Sequence, residues 1–307
     1  MRWRLGRRST NIEDRRGGSV PVGMPRGMRM PGGMRMPGGR AGRAGGIGGI
    51  GIIVIALIAM FLGVDPSFLF QGGTMPGPSF QETQAPQAPR SASEEELREF
   101  MSAVLADTED TWHTLFEQAE RTYQEPVVVL FSGAVESACG FANAAVGPFY
   151  CPGDRKVYID LSFFDELGER FGAPGDFAQA YVLAHEVGHH VQTLLGISDQ
   201  VRSVRDTLGE ADANALSVRQ ELQADCFAGI WAHHADRSRQ ILEPGDIEEG
   251  LTAATAIGDD RLQRQSQGYV VPESFTHGSS EQRVRWFQAG YDEGVLGACD
   301  TFSPEQL

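Results

Sequence analysis

The stretch AYVLAHEVGHHVQTLLG, residues 180–196, decides the fold and the chemistry together. Within it His185-Glu186-Val187-Gly188-His189 is an HExxH motif, which sets two histidines four residues apart on one face of a helix, where both imidazoles reach one metal ion. The intervening Glu186 points toward the open coordination position, placed to take a proton from metal-activated water. Tyr181, Val182, Val187, Val191, Leu194 and Leu195 recur at near-helical spacing, so the setting is a buried helix. Asp176 is the expected cap at its start and Gly196 the expected stop.

A catalytic zinc takes three protein ligands and keeps a fourth position open, so a third ligand has to be found. The HExxHxxGxxH solution fails, because Gln192 and Leu195 stand where that pattern needs Gly and His. Downstream, Glu221-Leu-Gln-Ala-Asp225 sits in the otherwise apolar run ALSVRQELQADCFAGIWA, where unpartnered carboxylates are costly. On a helix the two acids share a face, so Glu221 can bind metal while Asp225 accepts the outer N–H of a ligating histidine.

Charge is segregated along the 307 residues. Residues 1–64 carry eleven Arg against Glu13 and Asp14, whereas residues 65–307 carry fifteen Lys and Arg against thirty-nine acids. Between the two lies IGGIGIIVIALIAMFLGV, residues 47–64, with no charge. A basic flank before an apolar run predicts a transmembrane signal anchor at 47–64, with the N-terminus inside. Residues 1–46, with their Met/Pro/Gly-rich repeat, then form a disordered cytoplasmic tail drawn to anionic lipid, with no nucleic-acid partner implied. Residues 65–92, rich in Pro, Gly, Gln and Ser, form a flexible linker, and residues 93–307 form the folded domain outside the cytoplasmic membrane. An even count of four Cys in such a place suggests two disulfides: Cys139 with Cys151 is the natural local pair, and Cys226 with Cys299 follows by elimination.

Along that domain, SEEELREFMSAVLADTEDTWHTLFEQAE reads as a helix carrying a packing or surface His113. PVVVLFSG and KVYIDLSFF read as strands. Two or three helices follow the HEVGH helix, the last from about Asn214 to His233. A polar helix spans 245–266, and Ser279 or Ser280 caps a final one. His190, His233 and His234 are assigned to helix surfaces or local contacts.

HEVGHHVQ, ELQADCFAGIWAHH, GPFYCPGDRKVYIDLSFF and THGSSEQRVRWFQAGY resemble the bacterial "putative neutral zinc metallopeptidase" family over residues 93–302, with the basic tail and linker outside. The resemblance extends to gluzincins such as thermolysin and to HtpX-like membrane proteases, which join HExxH to a Glu ligand on a later helix. It implies Zn²⁺ held by His185, His189 and Glu221, Glu186 as the base and Asp225 behind the histidines. His277-Gly-Ser-Ser resembles the THP segment of the HtpX-like proteases, with Gly in place of Pro. His277 is therefore a candidate to hydrogen-bond the developing oxyanion, against a structural hydrogen bond in a loop, with Tyr269 and Tyr291 as alternatives. The implied whole is a mainly helical α+β zincin-like domain with a small β-sheet, its active-site helix beneath an edge strand, preceded by one transmembrane helix. It would be a membrane-anchored zinc metalloendopeptidase acting on extracytoplasmic proteins or peptides. The rival is a non-catalytic envelope scaffold with a structural zinc, for which four protein ligands would speak.

Overall fold

Ser91 starts the first long helix, α1 (Ala92–Gln118), through a capping box in which its hydroxyl accepts from the Glu94 amide and Glu94 reaches back to the Ser91 N–H. This computed structural model describes residues 1–17, 91–303 and 307. After α1 come β2 (Val127–Phe131), the hairpin β3 (Ala134–Ser137) and β4 (Gly140–Asn143), then β5 (Phe149–Cys151) and β6 (Lys156–Asp160). With β1 (Ile12–Asp14) they form a four-stranded sheet in the order β1-β2-β6-β5 and a separate two-stranded β3-β4 sheet. β1 and β6 run parallel to β2, and β5 runs antiparallel to β6 at the edge. The run KVYIDLSFF is only half strand. At Asp160 its carboxylate accepts from the Ser162 amide and hydroxyl, turning the chain into α2 (Ser162–Glu169).

The HEVGH stretch forms α3 (Asp176–Leu194). Gly175, not Asp176, is its N-cap, and the Glu249 carboxylate reaches across to accept from the Phe177 amide. Asp176 still adds first-turn negative charge. Gly196, in the left-handed region, closes the helix and starts α4 (Ile197–Arg205). α5 (Glu210–Arg237) begins earlier than its sequence suggests and carries the ELQAD motif in its middle. The polar helix breaks at Ile257-Gly258 into α6 (Asp246–Ala256) and α7 (Asp259–Gln267). Ser279 caps α8 (Ser280–Glu293) with Gln282 in a second capping box.

Two close approaches set the helical layer. A Cβ on Gly188 would lie 2.9 Å from the Ala224 carbonyl oxygen, so α3 and α5 meet at the level of both motifs. On the far side of α5, Gly229 lies against the Phe287 carbonyl and Gly290 against the Cys226 carbonyl, which draws α8 closer still. Around these contacts the core buries Trp112, Phe177, Tyr181, Phe227, Trp231 and Phe287, each contributing roughly 1.5–3 kcal/mol or more by its removal from water.

The N-terminus corrects the sequence reading. Residues 1–17 belong to the same compact unit as residues 91–307. β1 pairs with β2, and the arginines counted as a cytoplasmic flank meet acids of the domain: Arg4 with Glu96, Arg7 with Glu109 and Asp110, Arg16 with Glu95. A single span between residues 17 and 91 would put two strands of one sheet on opposite sides of a bilayer. Among the described residues no helix is long and apolar enough to cross a membrane, and the segment 47–64 lies outside them. The preceding transmembrane helix, the membrane contact and the single-pass location in the cytoplasmic membrane are withdrawn. What stands is a mainly helical α+β domain with a small sheet.

Candidate metal centre

One turn apart on α3, His185 and His189 turn their rings toward α5, with centroids 4.8 Å apart. The Glu221 Oε2 atom sits 3.2 Å from His185 Nε2 and 3.4 Å from His189 Nε2. Donors each about 2.0–2.2 Å from a tetrahedral ion stand roughly 3.3–3.5 Å from one another, so this triad has the spacing a zinc ion needs. Among the described residues the group has three members, which leaves room for a fourth position. Glu186 lies beside it, and its Oε2 is buried with no hydrogen-bond partner among the described residues, the mark of a carboxylate built to face a ligand.

Behind His185 stands a charged array. Its Nδ1–H donates to Asp225 Oδ1 at 2.8 Å, and Asp225 is fully buried. Arg283 grips the same carboxylate in a fork, Nε to Oδ2 and Nη2 to Oδ1 at 2.9 Å each. Tyr181 donates its hydroxyl to Asp225 as well. Asp225 therefore fixes the His185 tautomer, so that Nε2 faces Glu221. Behind His189 the partner is neutral, the Gln192 amide oxygen at 2.9 Å from Nδ1.

Electrostatics follow from this burial. Desolvation pushes the Glu186 carboxyl up, toward a range useful for accepting and returning a proton. Burial opposes the charge on Glu221, yet the histidines hold it well below the usual carboxylate range. Burial likewise disfavours a charged Asp225, but Arg283 and His185 overcome that and hold it at about 2. For His185 desolvation lowers the pKa, and the Asp225 carboxylate overrides it to about 10. A site that holds protons this firmly on its imidazoles without metal is one whose charge balance a dication can take over.

The triad opens on a cleft of ≈ 780 Å³. One wall is the segment Ala144–Tyr150, which runs into the edge strand β5, and the other comes from Val201, Arg202 and Arg205 of α4. His277 also lines it, half-exposed. Its loop is shaped by Asp259, whose Oδ2 gathers the amides of Thr276, His277 and Gly278 at 2.7, 2.6 and 3.1 Å. Asp259 Oδ1 lies 3.4 Å from His277 Nδ1, and that contact raises the His277 pKa. Tyr291 instead donates to Asp236, and Tyr269 is exposed and does not line the cleft. His190 is not at a helix surface: it is buried, with Nε2 donating to the Gln124 carbonyl and Nδ1 accepting from Tyr150. Cys139–Cys151 and Cys226–Cys299 are both bonded.

Reading from sequence missed Arg283, Asp259 and Gln192. Only one signal pointed at any of them: a buried Asp225 needs a cation beyond a neutral histidine, and Arg283 falls in the closing helix beside His277.

An HExxH helix thus packs on an ExxxD helix, and the segment leading into a sheet edge walls the cleft they open on, an arrangement with the spacing of a three-ligand metal centre. The chain belongs to the family described as "Putative neutral zinc metallopeptidase", whose model matches residues 1–302. It is 49% identical over 306 residues to the uncharacterized protein YpfJ of Escherichia coli K12, covering 98% of this chain and 99% of that one. It is 40% identical over 264 residues to the uncharacterized proteins Mb2605 of Mycobacterium bovis and Rv2575 of Mycobacterium tuberculosis, covering 81% of this chain and 86% of theirs. No solved structure matches. Zinc is thus the metal, and peptides or proteins are the substrates at the level of the family. The match starts at residue 1, so the N-terminal stretch lies inside the resemblance rather than outside it.

Proposed function

We propose that this chain is a zinc metalloendopeptidase that cleaves extended polypeptide lying along the cleft, with His185, His189 and Glu221 as ligands, Glu186 as general base and His277 on the developing oxyanion. The observation that carries it is the buried Glu186 Oε2, without a hydrogen-bond partner among the described residues, beside a three-residue cluster of metal-ligand spacing at a cleft. Zinc, when bound, polarises the peptide carbonyl and acidifies water. Among the described residues β5 has a partner on one side only, and its other edge is the one offered to hydrogen-bond an extended substrate. Glu186 takes a proton from the attacking water as its oxygen bonds to the carbonyl carbon. It then hands that proton to the amide nitrogen as the C–N bond breaks, giving a carboxylic acid and an amine, between which the second water proton then passes to leave a carboxylate and an ammonium. His277, oriented by Asp259, is placed to donate to the oxygen on which charge develops. Two disulfides support work in an oxidising compartment, where such bonds persist.

Glu186→Gln tests the reading. The variant should keep its zinc and lose at least about 10²-fold in hydrolysis of an unstructured protein substrate. Undiminished hydrolysis, or equal inactivity of wild type and variant when both are zinc-loaded, removes the proposed enzyme.

A further inference from the structure

Buried amides can be oriented without ambiguity when their hydrogen bonds end on main-chain carbonyls, because a carbonyl only accepts. Gln223 donates its Nε2 to the Cys299 carbonyl at 3.0 Å, which leaves its Oε1 facing Gln192. Gln192 then donates Nε2 to that oxygen at 3.1 Å and to the Gln220 carbonyl at 2.7 Å. With both amide protons committed, the Gln192 Oε1 faces His189 Nδ1 at 2.9 Å. That oxygen cannot donate, so the imidazole must carry its proton on Nδ1. In the neutral ring the lone pair is then on Nε2, the atom 3.4 Å from the Glu221 carboxylate.

We propose that Gln192 and Gln223 are positioning residues for His189, forming a one-directional relay from the Cys299 carbonyl that dictates which ring nitrogen faces the metal. The inference rests on the zinc reading above and adds how the second histidine is held. An imidazole left to itself samples both tautomers, and only one presents Nε2. Gln192 is fully buried and Gln223 nearly so, so water does not compete for either amide. The far end of the relay is fixed covalently: Cys299 is bonded to Cys226, three residues beyond Gln223 on the helix that carries Glu221. The two histidines are thus supported by unlike chemistry, an ion-paired carboxylate for His185 and a chain of neutral amides for His189. Metal affinity gains from both, since partners of this kind are worth about 10–100-fold each.

The experiment uses the full chain, with zinc affinity read by chelator competition and the His189 Nδ1–H proton read by ¹⁵N-resolved NMR of the zinc-loaded protein. In wild type that proton should be resolved and slow to exchange. Gln192→Met keeps the bulk but not the acceptor; it should lose the protected proton and bind zinc about 10–100-fold more weakly. Gln192→Glu restores an acceptor toward His189 and should recover the proton and most of the affinity. Gln223→Met removes one of the two acceptors that hold the Gln192 amide and leaves the Gln220 carbonyl, so it should weaken zinc by a smaller factor and speed exchange of the His189 proton; it decides the matter if Gln192→Met does not fold. An unchanged proton and affinity in both Met variants overturn the relay while the zinc reading stands. A wild type that binds no zinc overturns the reading on which the relay rests.

Discussion

The floor and the wall of the cleft are built by different physics. The floor is helical and without slack: α3 touches α5 at Gly188, α5 touches α8 at Gly229 and Gly290, and the side chains behind the ligands are buried. The wall is the segment Ala144–Tyr150, which follows the hairpin β3–β4 and leads into β5. It exposes Val146 by 62%, and is tied down by Cys139–Cys151 and by Tyr150 on His190. On the proposed reading, groups that must meet an ion to within tenths of an ångström stand on the floor. The surface proposed to receive the polypeptide stands on the wall, where fewer packed atoms resist adjustment. Breaking one should harm metal binding; breaking the other should harm substrate affinity and leave metal binding intact.

The largest effect is expected where the floor is charged. Asp225→Ala leaves the Arg283 guanidinium buried and unpaired, which should cost about 3–5 kcal/mol of stability. It should also weaken zinc by about 10–100-fold without emptying the site under zinc excess. Glu221→Ala should purify nearly metal-free. Adding Arg283→Met to Asp225→Ala should recover stability but not zinc affinity. Denaturant melts and metal analysis on the three variants decide it: a metal-free Asp225→Ala beside a loaded Glu221→Ala would exchange the two roles.

Next comes Gly290→Ala. In an open helix this change gains up to about 1 kcal/mol. Here the new Cβ would fall 1.9 Å from the Cys226 carbonyl oxygen, so α8 must move off α5. A net loss of roughly 3 kcal/mol follows, lowering Tm by about 6–12 °C in a domain of this size. A rise in Tm would show that the floor has slack after all.

On the wall the expected effect is kinetic. Cys139→Ser with Cys151→Ser opens a loop that the chain-entropy account values at roughly 3 kcal/mol, and that loop contains Ala144–Tyr150. KM should rise several-fold while kcat and zinc content stay near wild type. A fall in zinc content would mean that the wall reaches into the metal centre.

How far each region could be read from sequence follows the same division. HEVGH and ELQAD announce themselves because helical spacing converts sequence separation into shared faces, and both lie in apolar runs where a carboxylate or imidazole needs a reason. Their supporters are not legible, since Gln192 and Gln223 meet only across the α3–α5 contact, and Arg283 arrives from about sixty residues downstream of Asp225. β1 was hidden by its surroundings: three strand residues among arginines and a Met/Pro/Gly-rich repeat carry no alternation, and the arginines mimic a membrane flank until their acidic partners are known. Asp160 ended a strand that hydropathy alone would have continued.

The smallest effect is expected at the junction of floor and cleft, where Asp259 holds the His277 loop. In the zinc-free protein burial raises the Asp259 pKa, but His277 outweighs it and the net shift is down; the same contact raises the His277 pKa. The signs run oppositely. A depressed carboxyl stabilises above its unfolded pKa of about 3.9 and loses that contribution as pH falls through the folded value. A raised imidazole stabilises below its unfolded pKa of about 6.5 and loses it as pH rises through the folded value. The coupling is therefore greatest at mildly acidic pH, between roughly 4 and 6.5. His277 is 53% exposed, so solvent screening keeps the pH-dependent part below about 1 kcal/mol. Asp259→Asn also weakens acceptance from three backbone amides, but that loss does not depend on pH. Zinc-free melts of wild type and Asp259→Asn across pH 3.5–9, a range set by those roughly 3.9 and 6.5 reference values, should differ most at mildly acidic pH and converge partway on either side. A difference that is flat with pH would mean that Asp259 shapes the loop through its backbone bonds alone, leaving His277 oriented by nothing but Thr276.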